Sequence, residues 1–314
     1  MQQWTGTMIK DSLEGDTWVK HISMRKKWAM WCYQSGFSPY MPAKAVQMSM
    51  YAAWLYMGCG HKPGSTLGYL DAVKFLHKQN GWPDPWQDYP WLKIRILGGL
   101  NKLVKQQKKD KVKVTASLMQ YMIKKVGWAD SRQVLAWAVS VVLYFMSLRI
   151  GNLLPPSSRT SSAKKHVIKR KHVKIQQNIA VVTVPSTKTS GTPATHTVPC
   201  MALGKNRDPL WALTYLLSLK GTQEGNLAGD LSRSEFEHLV RTWLEHSNIP
   251  AHKLSAVSFR KGSQQELKNA GVSRDAIRRQ AVHRSMQSQN AYVDDDDATR
   301  MANLHVLAHA FRQQ

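Results

Sequence analysis

The sequence is short of acid and of cysteine. Asp and Glu total 20 of 314 residues against 44 Lys and Arg, a formal net charge of +24. A chain this basic works on a polyanion, and nucleic acid is the default. Cysteine occurs three times, at Cys32, Cys59 and Cys200, with no CxxC pair, which argues against a disulfide framework or a cysteine zinc site. His166, His172, His196 and Cys200 match no strong zinc spacing, so no metal and no cofactor is expected. No apolar run approaches the ~20 residues of a membrane span. Val134 to Leu148 comes closest, and serines interrupt it. The first twenty residues mix Trp4, Lys10, Asp11, Glu14 and Asp16 and carry no signal-peptide stretch. The expectation is a soluble intracellular protein without membrane contact. Gly (19) and Pro (13) are too few for a disordered or collagen-like chain. What is plentiful is 12 Trp and 14 Met, which imply a large apolar interior.

At roughly 150 residues per domain, the length predicts two domains. Residues 1–104 read as a small helical domain. Val46, Met50, Ala53, Trp54 and Met57 form one helical face within 43–57. Ser65 or Thr66 caps a second helix striped by Leu67, Leu70, Val73 and Leu76. A third helix spans 91–103 after a Trp/Pro-rich turn. Residues 105–114 are polar and basic and form the best linker.

Residues 115–314 read as a mainly α domain with a small antiparallel sheet. Ser131 caps a long apolar helix that leads to Arg149. Strand-like runs cover 172–175, 179–184 and 195–199, the first two joined by a turn at 176–178. Asp208-Pro209 starts a helix, Ser234 and Glu237 form a capping box, and shorter helices lie near 264–269 and 276–280. A last helix over 298–311 carries an apolar stripe, Leu304, Val306, Leu307 and Phe311, suited to docking on a neighbouring protomer.

Five polar residues recur in order through this second domain. Arg149 lies in Leu148-Arg149-Ile150-Gly151-Asn152-Leu153-Leu154. Lys188 lies in Ser186-Thr187-Lys188-Thr189-Ser190, and Arg260 in Ser258-Phe259-Arg260-Lys261-Gly262. His283 lies in Val282-His283-Arg284-Ser285, and Tyr292 in Asn290-Ala291-Tyr292-Val293. His283 precedes Tyr292 by 9 residues and follows Arg260 by 23. Together the series resembles the tyrosine recombinase (phage integrase) family over nearly the whole chain, with 1–104 in the place of its helical core-binding domain. The wording of the boxes looks most like recombinases of eukaryotic mobile elements, the Crypton and DIRS/Ngaro type.

The resemblance implies a two-domain DNA clamp that cuts and rejoins strands without metal or ATP. Arg149 and Arg260 would hold the non-bridging oxygens of the scissile phosphate with forked, permanently charged donors. Lys188 would protonate the departing 5′-oxygen, His283 would hydrogen-bond the phosphate, and Tyr292 would join the DNA 3′-phosphate covalently. It further implies duplex DNA with paired sites as partner, four protomers assembling through the last helix, and a nuclear setting in a eukaryotic host. The family's usual His three residues before the second arginine is Val257 here, and Ala281-Val282 stand where a Gly usually precedes the later histidine. Asp294 to Asp297 follow Tyr292 closely, suited to the start of the last helix. Candidate phosphate contacts are Lys62, Lys74 and Lys78 in the first domain and Lys105, Lys108, Lys109, Lys111 and Lys113 in the linker. Lys164, Lys165, Lys169, Arg170 and Lys171 follow in the run before the sheet. Two other readings stay open: a recombinase-derived DNA-binding protein without catalysis, for which Val257 is the motive, and a type IB topoisomerase acting on one duplex.

Overall fold

The computed structural model describes residues 15–38, 40–106, 112–154, 166–185, 193–204, 206–245, 247, 249–250, 253–255, 257–280 and 294–313. The chain divides into two compact units, Met1–Lys109 and Asp110–Gln314. Among the described residues no helix is long and apolar enough to cross a membrane.

The N-terminal unit is helical. Helix α1 (Gly15–Gln34) precedes α2 (Ala45–Ala53), which runs into a π turn over Trp54–Gly58; α3 (Pro63–Gln79) and α4 (Pro90–Gln106) follow. Helix α1 was not legible beforehand, and its Trp28, Trp31 and Cys32 build one wall of the core. Tyr51 of α2 sits at the centre, edge-on to Trp28 at 4.9 Å and 5.1 Å from Trp31. The face of α2 differs from the expected one. Val46, Met50 and Met57 are 51%, 49% and 80% exposed, whereas Ala45, Met48, Tyr51, Ala52 and Leu55 are buried. Both faces of this segment are apolar, and the one whose Tyr51 ring packs among Trp28 and Trp31 of α1 goes inside. Helix α3 starts at Pro63 with Lys62 as N-cap, ahead of the expected Ser65 or Thr66, because proline is pre-set for the first helical position. Asp84 ties the next turn together. Its carboxylate accepts from Trp86 N at 3.0 Å and pairs with Lys74 and Lys93 at 3.3 and 3.2 Å.

The C-terminal unit is built around one helix. After α5 (Ala116–Ile123), α6 (Ser131–Phe145) is buried on every side from Leu135 onward, as an all-round apolar sequence requires. Asp130, not Ser131, is its N-cap, accepting from Arg132 N and Gln133 N. The sheet is mainly as expected: β1 (Val173–Gln176), β2 (Ile179–Val184) and β3 (Ala194–Pro199) in antiparallel order β1-β2-β3. Gln177, at φ 51°, makes the tight turn between the first two. Helix α7 (Pro209–Ser218) is capped by Asp208 and packs on both α6 and the sheet. Helix α8 (Arg233–Trp243) is capped by Ser232, whose Oγ accepts from Glu235 N. That is the expected S-x-x-E pattern two residues early.

Helices α9 (Val257–Asn269), α10 (Arg274–Gln280) and α11 (Asp294–Arg312) complete the unit. The expectation for the last helix is corrected here. Leu304, Leu307 and Phe311 are buried in their own unit and Val306 packs partly against the same core. Phe311 meets Phe145 of α6 at 5.9 Å. Gln120 donates to Phe311 O at 2.9 Å, Arg300 to Thr195 O at 2.7 Å and Asn303 to Ala276 O at 3.1 Å. The stripe that periodicity offers to a neighbour is used in cis.

Candidate phosphate-binding site

Arg149 stands where α6 has ended and the chain turns sharply. Ser147 takes a left-handed φ of 49°, and Arg149 itself is extended and caps a short 3-10 turn over Ile150–Asn152. The apolar members of its box, Leu148, Ile150, Leu153 and Leu154, are all buried. Asn152 does the polar fastening. Its Oδ1 accepts from Arg149 N at 3.2 Å, its Nδ2 donates to His166 O at 3.0 Å, and its carbonyl accepts from Ile168 N at 2.7 Å. Arg149 is left half-buried, with the chain anchored on both sides of it.

Arg260 lies in the first turn of α9 and is 7% exposed. Phe259 beside it is wholly buried and meets Phe236 at 5.9 Å. Gly262 allows a close crossing: a Cβ there would fall 1.7 Å from the carbonyl oxygen of Val114. The same crossing carries a bond from Val114 N to Ser258 O at 3.0 Å and one from Ala116 N to Glu266 Oε1 at 3.0 Å. Phe259 and Gly262 thus have distinct local reasons to be in the box around Arg260.

The two arginines, over a hundred positions apart in the chain, influence each other electrostatically. Burial, and then the positive charge of Arg149, push the Arg260 guanidinium down to about 9. Burial also lowers Arg149. A guanidinium that has lost hydration gains from an anion beside it. Arg149 and Arg260, which the sequence reading assigns to one phosphate, both stand at anchored backbone positions of the same unit. Val257, three residues before Arg260, is 48% exposed and offers no polar group. Lys188, His283 and Tyr292 lie outside the described residues, as do Lys108, Lys109, Lys111, Lys164 and Lys165.

The remaining basic candidates separate into classes. Lys62, Lys78, Lys105 and Lys113 are exposed, Lys113 donating to Gln265 Oε1 at 2.8 Å. Lys74 is engaged by Asp84. Lys169 and Lys171 share the carboxylate of Glu224 at 2.7 and 2.5 Å, and these bonds hold that acid down at about 2. Arg170 turns inward. It is 8% exposed and donates to the carbonyls of Leu216 and Leu217 at the end of α7, where a cation satisfies the open helix terminus.

Helix α4 holds residues the sequence reading passed over. Trp91, Ile94, Arg95, Asn101 and Lys102 are all exposed along it, as is Lys105, which belongs to the end of this helix and not to a linker, and the helix contains no acid. Gly98 and Gly99 lie between them, and a Cβ on either would meet nothing within 4 Å. Glycine costs about 1 kcal/mol in a helix interior, so an acid-free face with two open glycines was a signal available in the sequence. Among the described residues no three His, Cys, Asp or Glu side chains gather as a metal site would require.

No protein-family model and no curated protein matches the chain. Solved structures do. The integrase from mycobacterium phage Brujita is 16% identical, with 98% of this chain and 91% of that one covered and a TM-score of 0.43. XerA recombinase is 15% identical, covers 99% and 95%, and scores 0.39. A Flpe–Holliday junction complex is 11% identical, covers 91% and 80%, and scores 0.41. At identities and TM-scores this low the likenesses carry no functional argument, which falls to the residues themselves.

Proposed function

We propose that the protein is a site-specific DNA recombinase that breaks and rejoins strands through a covalent 3′-phosphotyrosine at Tyr292. The observation that carries this reading is the pair of arginine boxes: Arg149, half-buried where the chain turns sharply, and Arg260, 7% exposed in the first turn of α9, both anchored in the core of one unit. A phosphodiester under attack gathers charge on its non-bridging oxygens, and two pre-placed guanidiniums stabilise that charge more than the ground state. In the proposed reaction the Tyr292 hydroxyl gives up its proton to solvent and its oxygen bonds to phosphorus as the P–O5′ bond breaks. Lys188 gives the leaving oxygen its proton, and His283 donates to the phosphate. A 5′-hydroxyl from another strand reverses the step, so the energy of the phosphodiester is conserved without ATP.

Duplex DNA is the proposed partner, with the acid-free face of α4 supplying phosphate contacts through Lys102 and Lys105 and base-edge contacts through Arg95 and Asn101. Strand exchange in pairs calls for four protomers on two duplexes. Because α11 buries its apolar stripe within its own unit, the proposed assembly draws on other surfaces. The wording of the arginine boxes favours a mobile-element recombinase of the Crypton or DIRS/Ngaro type, which acts in a nucleus.

One observation favours a second reading. Val257 offers the phosphate no donor and the tyrosine no proton acceptor, as in a DNA-binding protein that has lost cleavage. Covalent trapping separates the two. The protein is mixed with nicked duplexes from the DNA flanking its gene and run on denaturing and native gels beside Tyr292→Phe. The recombinase reading expects a denaturant-resistant adduct that the variant does not form. Tight native binding without an adduct establishes the binding protein instead.

A further inference from the structure

A buried polar strut joins the two segments that carry Arg149 and Arg260. Ser147, two residues before Arg149, is fully buried, and its Oγ lies 2.7 Å from Oγ of Ser263, also fully buried. Ser263 in turn bonds the carbonyl of Arg260 at 3.2 Å. A carbonyl can only accept, so the Ser263 hydroxyl donates to it and is left to accept from Ser147. The run Ser147 Oγ to Ser263 Oγ to Arg260 O therefore has one direction, and each link polarises the next. It spans from the turn of one arginine to the backbone of the other. A second buried bond holds the same turn from another side: Gln280 Nε2, at the end of α10, donates to Phe145 O at 2.9 Å.

The backbone of Ser147 makes the choice of residue informative. A non-glycine residue at φ 49° is uncommon and carries strain of order 1 kcal/mol, which glycine would not. Serine at this position therefore gives up backbone comfort, and what it gains is the hydroxyl. We propose that Ser147 is a positioning residue whose bond to Ser263 sets the spacing from which Arg149 and Arg260 reach a single phosphate. The role rests on the phosphate site proposed above and extends it to residues that touch no substrate.

The test uses the full chain and inorganic sulfate as the probe anion. Melting temperature is followed against sulfate concentration for the wild type, Ser147→Gly, Ser263→Ala, the double variant and Arg149→Ala, the last giving the baseline for general salt effects. Ser147→Gly relieves the backbone and removes the strut, so it melts close to the wild type without sulfate. Its site-specific sulfate affinity is expected to fall about five- to tenfold, the worth of one hydrogen bond. Ser263→Ala shows a similar loss, and the double variant loses no more than the single ones. Wild-type sulfate affinity in Ser147→Gly overturns the positioning role while leaving the phosphate site standing. A wild type that responds to sulfate no more than Arg149→Ala overturns the phosphate site, and the positioning role with it.

Discussion

Substituting Gly262 by alanine tests the architecture beneath Arg260 without reference to any reaction. The added Cβ would lie 1.7, 2.3 and 2.7 Å from the oxygen, carbon and nitrogen of Val114. All three are backbone atoms, so no rotamer change makes room. Real Cβ contacts essentially never fall under 3.0 Å, so α9 and residue 114 must part by more than 1 Å along the shortest of these contacts. That separation breaks the bonds from Val114 N to Ser258 O and from Ala116 N to Glu266, each 3.0 Å in the native fold. Two buried N–H groups left without partners cost about 2–6 kcal/mol, and the displaced packing adds about 1–3. The total, about 3–9 kcal/mol, reaches the most damaging class of point mutation. At roughly 2–4 °C per kcal/mol for a unit of this size, Gly262→Ala should lower the melting temperature by at least about 6 °C. Gly151, in the box of the other arginine, is the control, because a Cβ there meets nothing within 4 Å. Gly151→Ala should melt near the wild type. If Gly262→Ala also melts within a few degrees of it, the close crossing of α9 over residue 114 is wrong, and so is the geometry that places Arg260.

Two further substitutions test how buried polar groups are used. Arg170→Met strips the Leu216 and Leu217 carbonyls of their donor and should lower the urea midpoint by the equivalent of about 2–4 kcal/mol. It should leave the salt dependence of duplex binding unchanged, whereas losing a phosphate contact would reduce that slope by about one; a reduced slope with intact stability would reverse the assignment. His196 is fully buried on β3 with neither ring nitrogen hydrogen-bonded; burial, and then the charge of Arg300, bring it from 6.5 down to about 3. The unfolded chain binds this proton near 6.5 and the folded one near 3, so the stability involved is complete above about 6.5 and drains away as pH falls towards 3. His196→Leu should be at least as stable at pH 7 and should resist acid further, read as a lower acid midpoint by circular dichroism. A large loss of stability at pH 7 would show that the imidazole has a partner after all.

What the sequence disclosed depended on whether a signal was local. The boxes around Arg149 and Arg260 were legible because their apolar members and special residues sit within a few positions of the arginine. The strands fell within a residue or so of their true ends. Caps slipped where two competent residues stood close together: Asp130 displaced Ser131, and Ser232 displaced Ser234, since only the side chain that reaches a free N–H does the work. The face of α2 misled for a different reason. Val46, Met50 and Met57 make one apolar stripe and Met48, Tyr51 and Leu55 another, and only the ring packing of Trp28 and Trp31 from α1 decides between them. Arg170 looked like its neighbours Lys169 and Lys171 until the end of α7 supplied carbonyls for it. Ser147, Ser263, Asn152 and Gln280 gave no signal, because a polar residue becomes a strut only through a partner that the tertiary fold delivers.

Helix α6 also sets an order of events during synthesis. It is apolar on all sides, so it has no stable place until its neighbours exist, and Phe311 of the last helix is among the residues that close over it. That residue is translated after both Arg149 and Arg260. A nascent or truncated chain carries both arginines but lacks the helix that completes the core fixing the turn at 145–149. The anion site should therefore form late and together with the rest of the unit, rather than piecemeal. For a protein whose proposed substrate is the genome around it, an incomplete chain would then be a poor binder of phosphate, and no separate inhibitor would be needed to keep it so.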